Sequence, residues 1–437
     1  MAERTTVRLG DCCEITDYVA NGSFEALRNN VQYLDAPGYA VLVRLVDHSN
    51  GWNGNYVFVS ESAFRFLRKS EVAPGDVIVA NVGANAGTVF RAPRLPYPMT
   101  LGPNAVLCRP DRQILLRDFL YYFLSSPPGQ DLLRSIVSGS AQPKFNKTDL
   151  RNAAVPAPSL PQQRAIAAVL GALDDKIDLN RRMSETLEET ARALFKSWFV
   201  DFDPVRAKAE GRQPFGMDAA TAALFPASFD DSETGEVPKG WAVDALDGIA
   251  SFLNGLALQK FPPIEGRPVL PVIKIAQLRA GAPNERELAD AAVPAQYVIE
   301  DGDLLFSWSG SLLVDVWCGG RGALNQHLFK VTSDRCPKWF FKGWLDHHLP
   351  SFQAIAADKA TTMGHIQRRH LTEAKVAIPP QAVITAAGGT FEPMLARAVS
   401  SRVESRTLAE LRDYLLPKLL SGEVRMRDAE KLVGEAT

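Results

Sequence analysis

One stripe of positions recurs at alternating steps of four and three residues through the middle of the chain. It runs through Ile166, Leu170, Leu173, Ile177, Asn180, Ser184, Leu187, Ala191, Leu194 and Trp198. This heptad spacing keeps one face against a partner helix along a coiled coil. Pro161 stands where a first-turn proline is tolerated, Pro204 lies just beyond the end, and no glycine follows Gly171 before residue 200. A continuous helix from Gln162 to Phe199 would span ~55 Å at about 1.5 Å per residue. Asp174, Asp175, Lys176, Arg181, Arg182, Glu188 and Glu189 fall off the stripe and read as a solvated face.

A shift of 221 positions brings the stripe back near the C-terminus, at Ala387, Phe391, Met394, Ala398, Ser401, Ser405, Leu408, Arg412, Leu415 and Leu419, with only Arg412 breaking it. The same shift aligns Asn104 with Asn325, Leu150 with Leu371 and Pro158 with Pro379. With a small gap, APGDVIVANVGANAGTVF (73–90) matches EDGDLLFSWSGSLLVDVW (300–317), and Asn21-Gly22 corresponds to Asn254-Gly255. The chain therefore reads as two copies of one unit, each a globular segment followed by a long helix. An antiparallel pairing of the two helices satisfies both stripes and gives an approximate internal twofold.

The globular segments, 1–157 and 241–380, hold short β-like runs separated by turn residues. In the first these are Ala40–Val46, Tyr56–Val59, Asp76–Ala80, Thr88–Arg91 and Ala105–Arg109; in the second, Val269–Ile275, Asp303–Trp308 and His327–Thr332. Helices are predicted at Leu116–Leu124, Gln130–Val137, Trp339–His347 and Phe352–Ala357. The long helices occupy 158–202 and 381–425. A Pro-, Gly- and Ala-rich connection covers 203–240, and 426–437 is a tail. The fold class is α/β (α+β), in two copies, with a long antiparallel two-helix coiled coil. Gly388, Gly389 and Pro393 weaken the first turns of the second helix, which is expected to begin near Phe391 and to be shorter or kinked.

At 437 residues, 46% hydrophobic and 22% charged, the chain has the composition of a globular protein with more than one core. The start lacks the apolar core of a signal peptide and no run reaches membrane-spanning length, so a cytoplasmic protein with no membrane association is expected. The five cysteines, Cys12, Cys13, Cys108, Cys318 and Cys336, form no CxxC pair and read as reduced thiols. No phosphate loop, dinucleotide fingerprint, zinc spacing or nucleophile elbow occurs. The six histidines, among them His347-His348 and His365/His370, read as turn or surface residues rather than metal ligands. No catalytic residues and no bound metal or cofactor are expected.

What remains is polar loop chemistry at matching places in both copies. The candidates in the first are Arg44, Asn53, Arg65, Arg68, Lys69, Asn85, Gln142, Lys144 and Lys147. The second offers Lys260, Lys274, Gln277, Arg279, Ser309, Ser311, Gln326, Thr362, His365, Gln367, Arg368 and Arg369. Arg, Lys, Asn and Gln read base edges, while Ser, Thr and Lys suit phosphates. A net charge of −2 runs against a nucleic-acid role unless local patches or a basic partner supply positive charge.

Four stretches resemble the specificity subunits of type I restriction–modification systems. They are LPQQRAIAAVLGALDDKIDLNRRMSETLEETARALFKSWFVDFDPVRAK (160–208), EVPKGW (236–241), GALNQHLFKV (322–331) and LRDYLLPKLLSGEVRM (411–426). The resemblance implies a non-catalytic subunit whose two globular segments are target-recognition domains, each reading half of a split sequence in double-stranded DNA. The helix pair would act as a ruler across the spacer. Two methyltransferase subunits would dock on the chain and methylate adenine N6 with S-adenosylmethionine, and restriction subunits would join them with ATP and Mg. A different class is an interaction scaffold with degenerate DNA recognition. A self-contained nuclease or methyltransferase would need motifs that are missing.

Overall fold

The computed structural model describes residues 6–139, 142–233, 235–284, 286–358, 364–421 and 423–436. The two heptad stripes become helices Leu160–Phe195 and Gln381–Ser421, of 36 and 41 residues. By contacts the chain divides into Met1–Lys176 with Leu408–Thr437, and Ile177–Thr407, so each unit holds a portion of both helices.

The helices pack antiparallel. In the first unit Arg412 Nη1 lies 2.8 Å from Asp174 Oδ1. In the second, Asn180 Nδ2 donates to Glu404 Oε2 at 2.9 Å and Ser184 Oγ donates to Ala398 O at 3.2 Å. Along the stripes Ile166, Leu170, Leu173, Trp198, Phe391, Leu408, Leu415 and Leu419 are buried, and Ile177, Leu187, Leu194 and Met394 are half-buried. The polar centre is buried too: Asn180 and Ser401 are fully covered, and Asn180 Oδ1 and Ser401 Oγ have no hydrogen-bond partner.

The second helix is neither short nor late-starting: it begins at Gln381, ten residues before Phe391. Val383, Ile384, Ala387 and Phe391 enter the core of the second unit and offset the poor propensity of Gly388 and Gly389. Pro393 is exposed, as is Gly389, whose carbonyl loses its helical donor. Water can solvate that carbonyl, so the cost of the interior proline is reduced.

At its start the first helix is pinned by Gln163, which is fully buried. Its Oε1 accepts from Leu116 N at 2.7 Å, and its Nε2 donates to Ile114 O and Pro158 O at 3.0 and 2.7 Å. The helix leaves through a wide turn at Lys196–Val200 and stops at Phe202, whose φ of 56° is left-handed. Stretch 203–240 then forms helices Asp203–Ala209 and Ala219–Leu224 and the hairpin Phe229–Ser232/Gly235–Pro238. Val205, Phe225 and Val237 from it join Trp198, Phe199 and Trp241 in one aromatic core.

Both globular segments carry the same three sheets. In the first unit, Cys13–Asp17, Ala105–Pro110, Val77–Ala80 and Val89–Arg91 lie side by side, all antiparallel. A second sheet orders Phe58–Val59, Ala40–Val43, Met99–Leu101 and Glu71–Val72, its central pair parallel. Thr6–Arg8 pairs with Ala154–Pro156. The second unit repeats this with Ser251–Asn254, Leu328–Thr332, Leu304–Ser307 and Leu313–Val316. Its mixed sheet orders Leu288–Asp290, Val269–Ile273, Gly322–Leu324 and Val298–Ile299, and Ala242–Ala245 pairs with Lys375–Ile378. Even the turn aspartates match: Asp76 pairs with Arg109 and Asp303 with Lys330, at 2.8 and 2.7 Å.

Other predicted elements change as well. The run at Ala40–Val46 ends as a strand at Val43, because Arg44 and Asp47 cap a short helix, Leu45–Ser49. The helices expected on either side of Pro350 are one, Lys338–Asp358; Pro350 is exposed, and Trp344, Leu345 and Phe352 are buried around it.

Candidate nucleic-acid interface

Each unit has a crossing where distant loops are tied side by side. In the second, Ser309 bridges His365; Gly310 N donates to Gly364 O at 2.8 Å and Ile366 N to Trp308 O at 3.0 Å. In the first, Val82 bridges Lys144; Gly83 N donates to Pro143 O at 2.9 Å and Phe145 N to Asn81 O at 3.2 Å. The crossings fall just after equivalent strands, Leu304–Ser307 and Val77–Ala80. Gly310 and Gly83 make the required turns at φ of 66° and 93°.

In the second unit the crossing gathers a polar and aromatic cluster. Trp308 Nε1 donates to Asn254 Oδ1 at 2.9 Å, and its ring lies 6.0 Å from His327 and 6.5 Å from His365. Ser309 Oγ is 3.0 Å from His327 Nδ1, and Gln326 Nε2 is 3.3 Å from His327 Nε2. Arg368 donates to Phe252 O at 3.2 Å, with its guanidinium 5.8 Å from the Phe329 ring centre. Partly exposed rings, amides and a guanidinium in one place suit base edges and stacking.

Ser309, Gln326, His365 and Arg368 thus share one cluster. Gln367 and Arg369 are exposed on the adjoining helix turn, and Ser311 is exposed just past the crossing. Thr362 lies outside the described residues. Lys260 and Arg279 are exposed elsewhere; Lys274 pairs with Glu287 at 2.6 Å, and Gln277 Oε1 accepts from Lys274 N at 3.2 Å. In the first unit Gln142 and Lys144 are exposed at the crossing, and Asn85 is exposed in the neighbouring Gly83–Gly87 turn. Asn53 is exposed in a loop where Gly51, Trp52, Gly54 and Asn55 all have left-handed φ. Three cations are already tied down: Arg44 with Asp47 at 2.7 Å, Arg65 with Glu61 at 2.7 Å and Lys147 with Asp17 at 2.8 Å. Arg68 and Lys69 are exposed on the turn Arg68–Ser70.

Trp308, His327 and Asn254 complete the cluster but are not among the candidate side chains. Trp308 and His327 lie in the stretches 300–317 and 322–331, beside the candidates Ser309 and Gln326; Asn254 showed only as half of the repeated Asn-Gly pair.

Among the described residues no group of three His, Cys, Asp or Glu side chains is placed to hold a metal ion. His370 Nδ1 accepts from Gln367 N at 3.1 Å, and His348 Nε2 donates to Lys375 O at 2.9 Å. Burial pushes the Cys108 thiol up to about 12 and the Cys318 thiol up to about 11, which keeps both protonated at neutral pH. No described helix is long and apolar enough to cross a membrane.

A sequence profile described as "Type I restriction modification DNA specificity domain" matches residues 1–189. The type I restriction enzyme MjaIX specificity subunit of Methanocaldococcus jannaschii is 26% identical over 394 residues, covering 86% of this chain and 85% of that one. The HindI specificity subunit of Haemophilus influenzae is 23% identical over 404 residues, covering 82% and 88%. Over most of its length the chain is similar to type I restriction enzyme specificity subunits. Its fold is that of a solved specificity subunit from M. genitalium, with a TM-score of 0.55 at 14% identity over 96% of this chain and 97% of that one.

Proposed function

We propose that this chain is the non-catalytic specificity subunit of a type I restriction–modification system and reads a two-part sequence in double-stranded DNA, one half with the target-recognition domain of residues 1–157 and the other with that of residues 241–380. The helix pair fixes the unread spacer. The chain scaffolds two methyltransferase subunits, which transfer a methyl group from S-adenosylmethionine to adenine N6, and restriction subunits that use ATP and Mg. One observation carries the reading. The two segments share their sheets and their loop crossing, yet present different side chains at equivalent places: Val82 and Lys144 in one, Ser309 and His365 in the other. One scaffold with two chemistries is what a reader of two unlike half-sites requires. The net charge of −2 fits a subunit whose partners supply much of the positive surface around the duplex.

Sequencing of methylated adenines in cells expressing this chain with its cognate methyltransferase subunit tests the reading; one split motif is expected. Methylation without a defined motif would favour the scaffold with degenerate recognition. Removing one heptad from 173–187 should alter the spacer and leave both half-sites intact. Exchange of residues 1–157 for another family member's segment should alter one half-site only.

A further inference from the structure

Each globular segment is joined to the helix pair by a three-part ionic contact, and the two contacts have opposite polarity. In the first unit Asp174, on the first long helix, sits between two arginines. Arg91 on the edge strand Val89–Arg91 approaches it at 3.1 Å, and Arg412 on the second long helix at 2.8 Å. Tyr122 OH donates to the same carboxylate at 2.9 Å, and the Arg91 guanidinium lies 4.1 Å from the Tyr121 ring centre. Asp118 also approaches Arg91, at 3.7 Å.

In the second unit the centre is a cation. Arg402, on the second long helix, makes two 2.7 Å bonds to Asp315 on the equivalent edge strand, Leu313–Val316. Glu188 on the first long helix lies 3.6 Å from the same guanidinium. From edge strand to the helix that follows its own segment to the other helix, the signs run plus, minus, plus in the first unit. In the second they run minus, plus, minus. A second arginine of that helix, Arg406, grips Asp301 with two bonds at 2.8 Å.

Half-buried ion pairs add little net stability, because desolvation offsets attraction. Their strength lies in discrimination, since like charges forced together there are strongly unfavourable. We infer that these two charge-inverted contacts are positioning locks, each fixing the angle at which one recognition segment sits on the helix pair and thereby the spacer that the chain accepts. The inference rests on the proposed two-part reading. Small angles matter, because one base pair of spacer is about 3.4 Å and roughly 35° of rotation about the duplex.

The test uses the full chain in complex with its methyltransferase subunits and reads methylated sites by sequencing. Asp315→Arg and Arg402→Asp each place like charges together. Each is expected to leave both half-sites unchanged, to cut methylation at the wild-type spacer by about tenfold, and to spread it to spacers one base pair longer or shorter. The triple change Asp315→Arg, Arg402→Asp and Glu188→Arg gives the second lock the polarity of the first and should restore a single spacer. Arg402→Lys keeps the charge but not the two-pronged grip; it keeps the question answerable if a charge reversal fails to fold, and it too should broaden the spacer. Single variants or Arg402→Lys with an unchanged spacer, altered half-site bases, or a folded triple variant without rescue would each overturn the lock. A wild-type complex with no split motif would overturn the two-part reading and the lock with it.

Discussion

Asn21-Gly22 and Asn254-Gly255 are equivalent dipeptides, yet the same substitution should have different consequences at each. A Cβ on Gly255 would stand 2.2 Å from Asn325 O and 2.7 Å from Leu324 O. Both obstacles are backbone, and both belong to a stretch tied down on either side: Leu256 N donates to Leu324 O at 3.0 Å and Gln326 N to Leu256 O at 2.9 Å. Relief needs a shift of nearly 1 Å that stretches those bonds, each contributing about 1 kcal/mol net, on top of overpacking that typically costs 1–3 kcal/mol. Gly255→Ala should therefore destabilise the second unit by about 3 kcal/mol. At Gly22 the nearest atoms are side-chain carbons of Ala26 and Phe66, both at 3.3 Å, and the φ of 161° is open to any residue. Gly22→Ala should stay within about 1 kcal/mol of the parent, the range of surface-like changes with minor adjustment. Thermal melting separates them: about 3 kcal/mol corresponds to roughly 6–12 °C in a unit of this size. Because Gly255 adjoins Asn254, which holds Trp308, the variant complex should, on the proposed reading, also lose methylation of the split motif. Equal melting of the two variants would refute the steric argument.

Leu173 is fully buried in the helix seam, so Leu173→Ala should cost about 2–5 kcal/mol by denaturant titration, whereas Leu179→Ala, at a position 53% exposed, should change stability by less than about 0.5 kcal/mol. Asn180→Leu removes a buried, unpartnered oxygen together with one bond to Glu404, and should leave the unfolding free energy from denaturant titration unchanged or raise it by about 1 kcal/mol; a clear loss would mean that the Glu404 bond dominates. Burial pushes His348 down to about 4. The unfolded chain then takes up a proton below about pH 6.5 that the folded chain refuses, so the stability present above that pH is lost as pH falls from 6.5 to 4. His348→Gln should flatten that limb when midpoints at pH 7 and pH 5 are compared; an equal decline in both proteins would refute it.

The long helices were legible because heptads repeat for ten positions and no local accident erases such a pattern. The duplication was legible because one shift served loops, prolines and helices together. Strands of continuous apolar residues, such as Val77–Ala80, also stood out. Thr6–Arg8, Cys13–Asp17 and Met99–Leu101 did not, since three to five mixed residues carry no period and owe their form to the strands beside them. Stretch 203–240 hid its helices and hairpin behind turn-rich composition; the aromatic core that organises it comes from elsewhere in the chain. For the interface, residue type marked the right loops but not which charges were free. Arg44, Arg65, Lys147 and Lys274 look alike in sequence to Arg68 and Arg279, and only folding brings carboxylates to the first four.

The first unit is closed by the last thirty residues of the chain, while the second is one uninterrupted stretch. During synthesis, then, residues 1–176 stand without Leu408–Thr437, and Asp174 with Arg91 but not Arg412, until some 230 further residues have been made. A frameshift or protease cut after residue 407 would accordingly damage the unit that holds residues 1–176. Such a product should keep a protease-resistant core spanning 177–407 and lose the N-terminal one.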